Sequence, residues 1–149
     1  MKKLLSILMC VSLLSFSFYS CSDDDDNGGD GNGNVKLKVR TLYSTDADGI
    51  HTSFDTGAKV YVFYGFDFNN ANGYTYQIGG KYVKGSDVLN PDQTATIGTD
   101  GNAVIEQKFK DRKITVVIDS KHYQGQYREA YFEMFNEDID ISHIFKLQE

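Results

Sequence analysis

From residue 35 to the C-terminus, apolar residues recur with a period of two, and no stretch sustains the 3.6-residue period of an amphipathic helix. Successive side chains of a strand point to opposite faces, so a chain patterned this way buries strand faces and folds as sheets. Val35-Lys36-Leu37-Lys38-Val39-Arg40 alternates strictly and reads as a half-buried strand. Val60-Tyr61-Val62-Phe63-Tyr64 is apolar on both faces, which places it centrally. Residues 74–78 and 81–83 flank Gly79-Gly80 as a two-residue hairpin, since glycine accepts the positive φ of primed turns. Residues 94–97 and 103–109 flank Gly98-Thr99-Asp100-Gly101 as a second hairpin. Residues 114–118 follow a tight turn at 110–112, and strands at 127–135 and 141–147 finish the chain. The expectation is an all-β chain: one antiparallel β-sandwich of about 7–9 strands over residues 35–149.

The first 34 residues have another composition. Lys2 and Lys3 precede an apolar run over 4–19 that serines interrupt and that ends at Ser20-Cys21, the pattern of a secretory signal peptide over residues 1–20. Phe18-Tyr19-Ser20-Cys21 resembles the lipobox of bacterial lipoproteins, although Phe18 stands where a Leu is usual. That resemblance implies cleavage before Cys21, diacylation of its sulfur and acylation of its new amino group. Residues 22–34 hold no apolar side chain, so they read as a disordered Asp/Gly/Asn tether. The Cys21-Ser22-Asp23-Asp24-Asp25-Asp26 start resembles the acidic export signal of surface-exposed lipoproteins of Bacteroidota, which implies an outer-membrane, cell-surface location. Two cysteines in 149 residues build neither a disulfide scaffold nor a four-thiolate metal site. The formal charge of −6 argues against a nucleic-acid partner, and residues 35–149 carry 13 basic against 16 acidic side chains.

Gly57-Ala58-Lys59-Val60-Tyr61-Val62, Thr99-Asp100-Gly101-Asn102-Ala103, and Ile114-Thr115-Val116-Val117-Ile118 with Tyr123 resemble the transthyretin-like (prealbumin-like, carboxypeptidase-regulatory-like) branch of immunoglobulin-like sandwiches. The chain departs at the Gly-Tyr corner, where His122 replaces the glycine, and in an acidic turn one residue shorter. The resemblance implies a spacer, a binding module, or a pilus or secretion component, and brings no catalytic residues.

The motifs of phosphate-binding loops, zinc proteases, serine hydrolases and dithiol redox sites are absent. Asp46-Ala47-Asp48-Gly49 resembles the opening of a calcium loop, and Asp55 stands where its bidentate glutamate belongs but is shorter. Asp and Gly also suit a plain turn, which is the preferred reading, with Asp46 and Asp48 as the calcium alternative. No cofactor is expected. His143 shares a strand face with Ile141, Phe145 and Leu147 and reads as a hydrogen-bonded core histidine. Tyr64, Phe66, Phe68, Tyr74 and Tyr76 form one aromatic face across the turn at 69–73, which reads as core.

Antiparallel strands return their connections alternately to two ends of a sandwich. Counted from residue 35, segments 43–59, 79–80, 98–101 and 120–126 fall at the end away from the tether. Segments 69–73, 85–93, 110–112 and 136–140 fall at the tether end. Loops on a rigid scaffold carry binding residues, so Tyr43, His51, Lys121, His122 and Tyr123 are the candidate contact surface. The functional expectation is a non-catalytic lipoprotein, membrane-attached through its lipid, that binds an extracellular glycan or protein. The alternative is a structural part of a fimbrial or secretion assembly.

Overall fold

A computed structural model describes residues 35–46, 48–109 and 111–147. The signal peptide, Cys21 and the tether lie outside the described residues. The chain is all-β, with strands β1 (Lys36–Ser44), β2 (Thr52–Phe54), β3 (Lys59–Tyr64), β4 (Thr75–Gln77), β5 (Lys81–Lys84) and β6 (Asp87–Leu89). The series continues with β7 (Gln93–Thr96), β8 (Asn102–Glu106), β9 (Ile114–Asp119), β10 (Tyr127–Phe132) and β11 (Ile139–Lys146). Among the described residues the count is therefore eleven rather than 7–9. The additions are β2 and β6, each only three residues long.

Three sheets form. In the first, β1 pairs along its length with β11, while its other edge pairs with β8 over its first half and β2 over its second. The second runs β10-β9-β3-β7, and the third is the meander β4-β5-β6. The β1–β11 pair is parallel, which corrects the expectation of a wholly antiparallel sandwich. The two strands are far apart in sequence, so no hairpin constrains their relative direction.

The first two sheets face each other. Leu37 and Val39 of β1, Ala103 and Ile105 of β8, and Ile139 and Phe145 of β11 meet Val60, Val62, Ile114, Val116 and Ile118 in one buried cluster. β3 and β9 are also apolar on their outer faces, and the third sheet covers them. There Tyr61, Phe63 and Val117 pack with Tyr76 and Tyr82 in a second cluster, with Phe66, Phe68, Tyr74 and Leu89 around it. All six residues of β9 are buried for this reason.

Tyr76 is thus core as expected, and Phe66, Phe68 and Tyr74 are partly buried beside it. Tyr64 departs from that face and packs on the first cluster. Its strand stops there: Gly65 has φ 74°, and Asp67 caps the 3₁₀ turn Phe68–Asn70 by accepting from the Asn69 amide. The Gly79-Gly80 hairpin also includes Ile78, because Gln77 pairs with Lys81. Gly79 and Gly80 both have positive φ, at 99° and 85°. A side chain at Gly80 would collide with the Tyr61 ring, so the turn depends on that glycine twice. Gly98–Gly101 is not a hairpin. β7 pairs with β3 and β8 with β1, so this turn carries the chain between sheets. Its bonds, Gly101 N to Gly98 O and Gly98 N to Asn102 O, serve a corner as well as a hairpin.

The third sheet is fastened by tyrosine–carboxylate bonds. The Tyr76 hydroxyl donates to Asp119 at 2.7 Å and the Tyr82 hydroxyl to Glu129. The Gly79 amide also donates to Asp119, at 2.8 Å. Burial raises the Asp119 carboxyl above its ordinary 3.8, against the pull of those two donors. At Asp119 the folded protein therefore keeps a proton that the unfolded chain loses just above pH 3.8, so this group's contribution to stability falls as pH rises. Its sign is opposite to those of Asp46, Asp67 and Asp100, whose carboxyls are lowered. Asp119→Asn is expected to remove that falling contribution. Urea unfolding at pH 4 and pH 7 should show stability changing more favourably with rising pH in the variant than in the parent protein. Equal changes would contradict the assignment.

Candidate functional site

One end of the sandwich is set by register. Ser44 at the end of β1 lies opposite Lys146 at the end of β11. In the second sheet Lys59, which begins β3, lies opposite Thr96 and Asp119, which end β7 and β9. Segments 45–58, 79–80, 97–101 and 120–126 gather here, joined by bonds from Thr41 N to Gly101 O, Gly57 N to Ile97 O and Gly79 N to Asp119. The opposite end holds Val35, whose carbonyl accepts from Gln107, and the bonds from Gly65 N to Lys113 O and Phe135 N to Arg112 O.

Asp55 organises the first of these ends. It follows β2, is 1% exposed, and bonds across to the β9–β10 loop. Its carboxylate accepts from Ser120 Oγ at 2.6 Å, Lys121 N at 3.2 Å and His122 N at 2.9 Å. Its own amide donates to Thr41 O, tying the clamp to β1. The Ser120 hydroxyl in turn accepts from Tyr123 N at 2.9 Å. These bonds tie the backbone of the β9–β10 loop to Asp55 and, through the Asp55 amide, to β1.

Tyr43, at the end of β1, stacks on His122 with ring centroids 3.6 Å apart and planes 7° from parallel. Tyr123 stands edge-on to both rings and donates its hydroxyl to Ser44 O at 2.6 Å. Tyr43, Lys121 and His122 line a shallow open depression of about 350 Å³ with Phe54, Asp55 and Thr56. Phe54 lies flat on Gly101, where any Cβ would meet its ring, and Arg40 sits 5.4 Å above that ring.

His51 belongs to the adjacent loop at the same end. Its Nδ1 lies 2.7 Å from Asp46 Oδ2, and its side chain is 85% exposed. Asp46 also accepts from Ser44 Oγ, Ile50 N and His51 N. The Ser44 hydroxyl first, then the His51 amide, hold its carboxyl well below the usual range. Asp46 is therefore the acceptor around which this loop turns. Asp48 is exposed and offers its backbone carbonyl to Lys146 Nζ at 3.5 Å. Asp55, the third oxygen a calcium loop would recruit, is committed to the β9–β10 loop instead. Among the described residues, no three His, Cys, Asp or Glu side chains converge to hold a metal.

His143 lies on β11, away from the depression. It is half-buried, edge-on to Phe145 with centroids 4.6 Å apart. Contrary to expectation, its ring makes no hydrogen bond to a described residue. Leu147 is 56% exposed rather than core. The structure thus brings Tyr43, Lys121, His122 and Tyr123 into one group with His51 on the neighbouring loop, and adds Phe54, Asp55 and Thr56. Chemically, this group offers ring faces, one ammonium and a shallow surface. No protein-family model, no curated protein and no solved structure matches the chain.

Proposed function

We propose that this chain is an envelope lipoprotein, anchored through Cys21, whose domain is a non-catalytic interaction module for an extracellular glycan or protein. The observation that carries this reading is the stacked Tyr43–His122 pair beside Lys121, presented by loops that the Asp55 clamp holds rigid. Stacked rings with a nearby cation suit sugar faces and protein surfaces, and loops on a fixed scaffold are the ordinary place for such contacts. The placement adds support. These side chains lie at the end opposite Val35, the residue by which the chain from Cys21 enters the domain. The transthyretin-like resemblance fits the same role, and the reading rests on the loop end rather than on that resemblance. Among the described residues no helix is long and apolar enough to cross a membrane.

Triple acylation buries far more than the single chain that already gives marginal binding, at about 0.8 kcal/mol per CH₂. Cys21→Ala is therefore expected to abolish both labelling by an alkyne fatty acid and partitioning into detergent. Added protease should digest the parent protein on intact cells. Unchanged labelling in the variant would remove the anchor, and full protection on intact cells would remove the outward-facing role.

A further inference from the structure

We propose that β11 is a dimerisation strand, pairing antiparallel with β11 of a second copy so that His143 lies on the twofold axis. With eight residues, β11 is the longest edge strand among the described residues. One edge is fully paired to β1, and no described strand pairs with the other. Natural edges are blunted by proline, bulges, shortness, edge or inward-pointing charges, or a covering loop. β11 has no proline, bulge or inward-pointing charge: its register with β1 runs without a skipped residue, and its inward positions are Ile139, Ile141, His143 and Phe145. Its edge charges are Asp140 and Lys146, and the neighbouring segment Gln126, Tyr127 and Arg128 only flanks its last residues across an open groove.

The free edge also has the right polarity. Lys146 O points outward, where it accepts from the Gln126 side chain at 3.0 Å. In a parallel pair, both peptide groups of a residue turn to one side, and those of the next residue turn to the other. The backbone groups of Asp140, Ser142 and Ile144 therefore point outward with those of Lys146.

A continuous sheet needs inward residues opposite inward residues, which permits only alternate registers. The register centred on His143 overlaps the whole strand and is self-complementary. It sets Asp140 against Lys146 of the second copy, Ile141 against Phe145, Ser142 against Ile144, and Ile139 against Leu147. It covers Ile144 and Leu147, now 39% and 56% exposed. The neighbouring register sets Asp140 against Ile144 and Lys146 against Asp138, whose carboxylate already accepts from Lys36 N at 2.7 Å. Lys146 is otherwise held only by a 3.5 Å contact with Asp48 O. On pairing, Gln126 yields the Lys146 carbonyl to the Asp140 amide of the second copy. Burial first and Arg128 second hold the His143 ring below the usual histidine range, which favours an uncharged pair on the axis.

The test uses the full chain purified in detergent. His143→Cys places two thiols across a non-hydrogen-bonded antiparallel pair, about 4.5 Å between Cα atoms, within disulfide reach. Mild oxidation should convert most of it to a covalent dimer. Val104→Cys, exposed on the outer face of the same sheet, should form no covalent dimer. Adding Lys146→Glu should cut the His143→Cys dimer at least tenfold, and adding Asp140→Lys to that variant should restore it. Sedimentation of the unsubstituted protein, corrected for bound detergent, should give twice the chain mass. A single-chain mass, equal cross-linking at positions 104 and 143, or indifference to Lys146→Glu would each overturn the proposal.

Discussion

Replacing Tyr82 with alanine is expected to destabilise the domain by about 4 kcal/mol, the range for deleting a large buried aromatic. Tyr82 is 1% exposed, and its ring meets Phe63 at 5.0 Å, Phe66 at 4.5 Å and Tyr76 at 5.2 Å. It is the most buried residue of the third sheet. Its removal opens a cavity between them and leaves the partly buried Glu129 without its donor. Burial, then the Glu129 carboxylate, raise the Tyr82 hydroxyl far above the ordinary tyrosine value, so it remains a donor at any working pH. Tyr82→Phe keeps the ring and loses only that bond, about 1.5 kcal/mol. Denaturant unfolding of the pair separates packing from hydrogen bonding. Equal losses in the two variants would mean that the third sheet is not held by this ring.

Asp55→Ala should lower stability by about 3 kcal/mol, because one buried and two part-buried donors lose one shared acceptor. At roughly 4 °C per kcal/mol for a domain of this size, the melting temperature should fall by about 12 °C. Asparagine should recover less than half of this. Each Asp55 oxygen accepts, with Ser120 Oγ and Lys121 N on one and His122 N on the other, so an amide NH₂ meets a donor in either orientation. The effect should also be local. Amide exchange at Lys121 and His122 should accelerate more than global unfolding requires, while β9 stays protected. Uniform acceleration would show Asp55 to be merely one more core contact.

The strands legible in the sequence are those that alternate, as β1 does, or that run apolar on both faces, as β3 and β9 do. β1, β3 and β9 supply most of the buried apolar side chains, and both patterns are direct imprints of burial. β2 was not legible because all three of its residues are exposed, leaving nothing to alternate. β6 is equally short and mostly exposed. The parallel β1–β11 pair is specified by residues about a hundred positions apart, beyond any turn signal. Gly98–Gly101 was legible as a turn but not as a change of sheet, since the same φ values serve both. At the loop end, reversals of the chain were enough to group residues 43–59 with 120–126, because direction alternates even where partners are wrong. The Asp55 clamp was hidden for a physical reason. Its donors lie 65–67 residues away, and two of them are backbone amides, which every residue but proline carries.

The most direct test of the interaction role is binding of the full-length lipoprotein, in detergent, to a panel of extracellular glycans and matrix proteins. Parent protein is compared with Lys121→Ala, His122→Ala and Val88→Ala, the last an exposed change on the third sheet. The account predicts at least one ligand whose signal drops tenfold or more in the Lys121 and His122 variants and is unchanged in the Val88 variant. A ligand bound at parental strength by the Lys121 and His122 variants, but lost by Val88→Ala, would place the contact surface elsewhere and contradict the account.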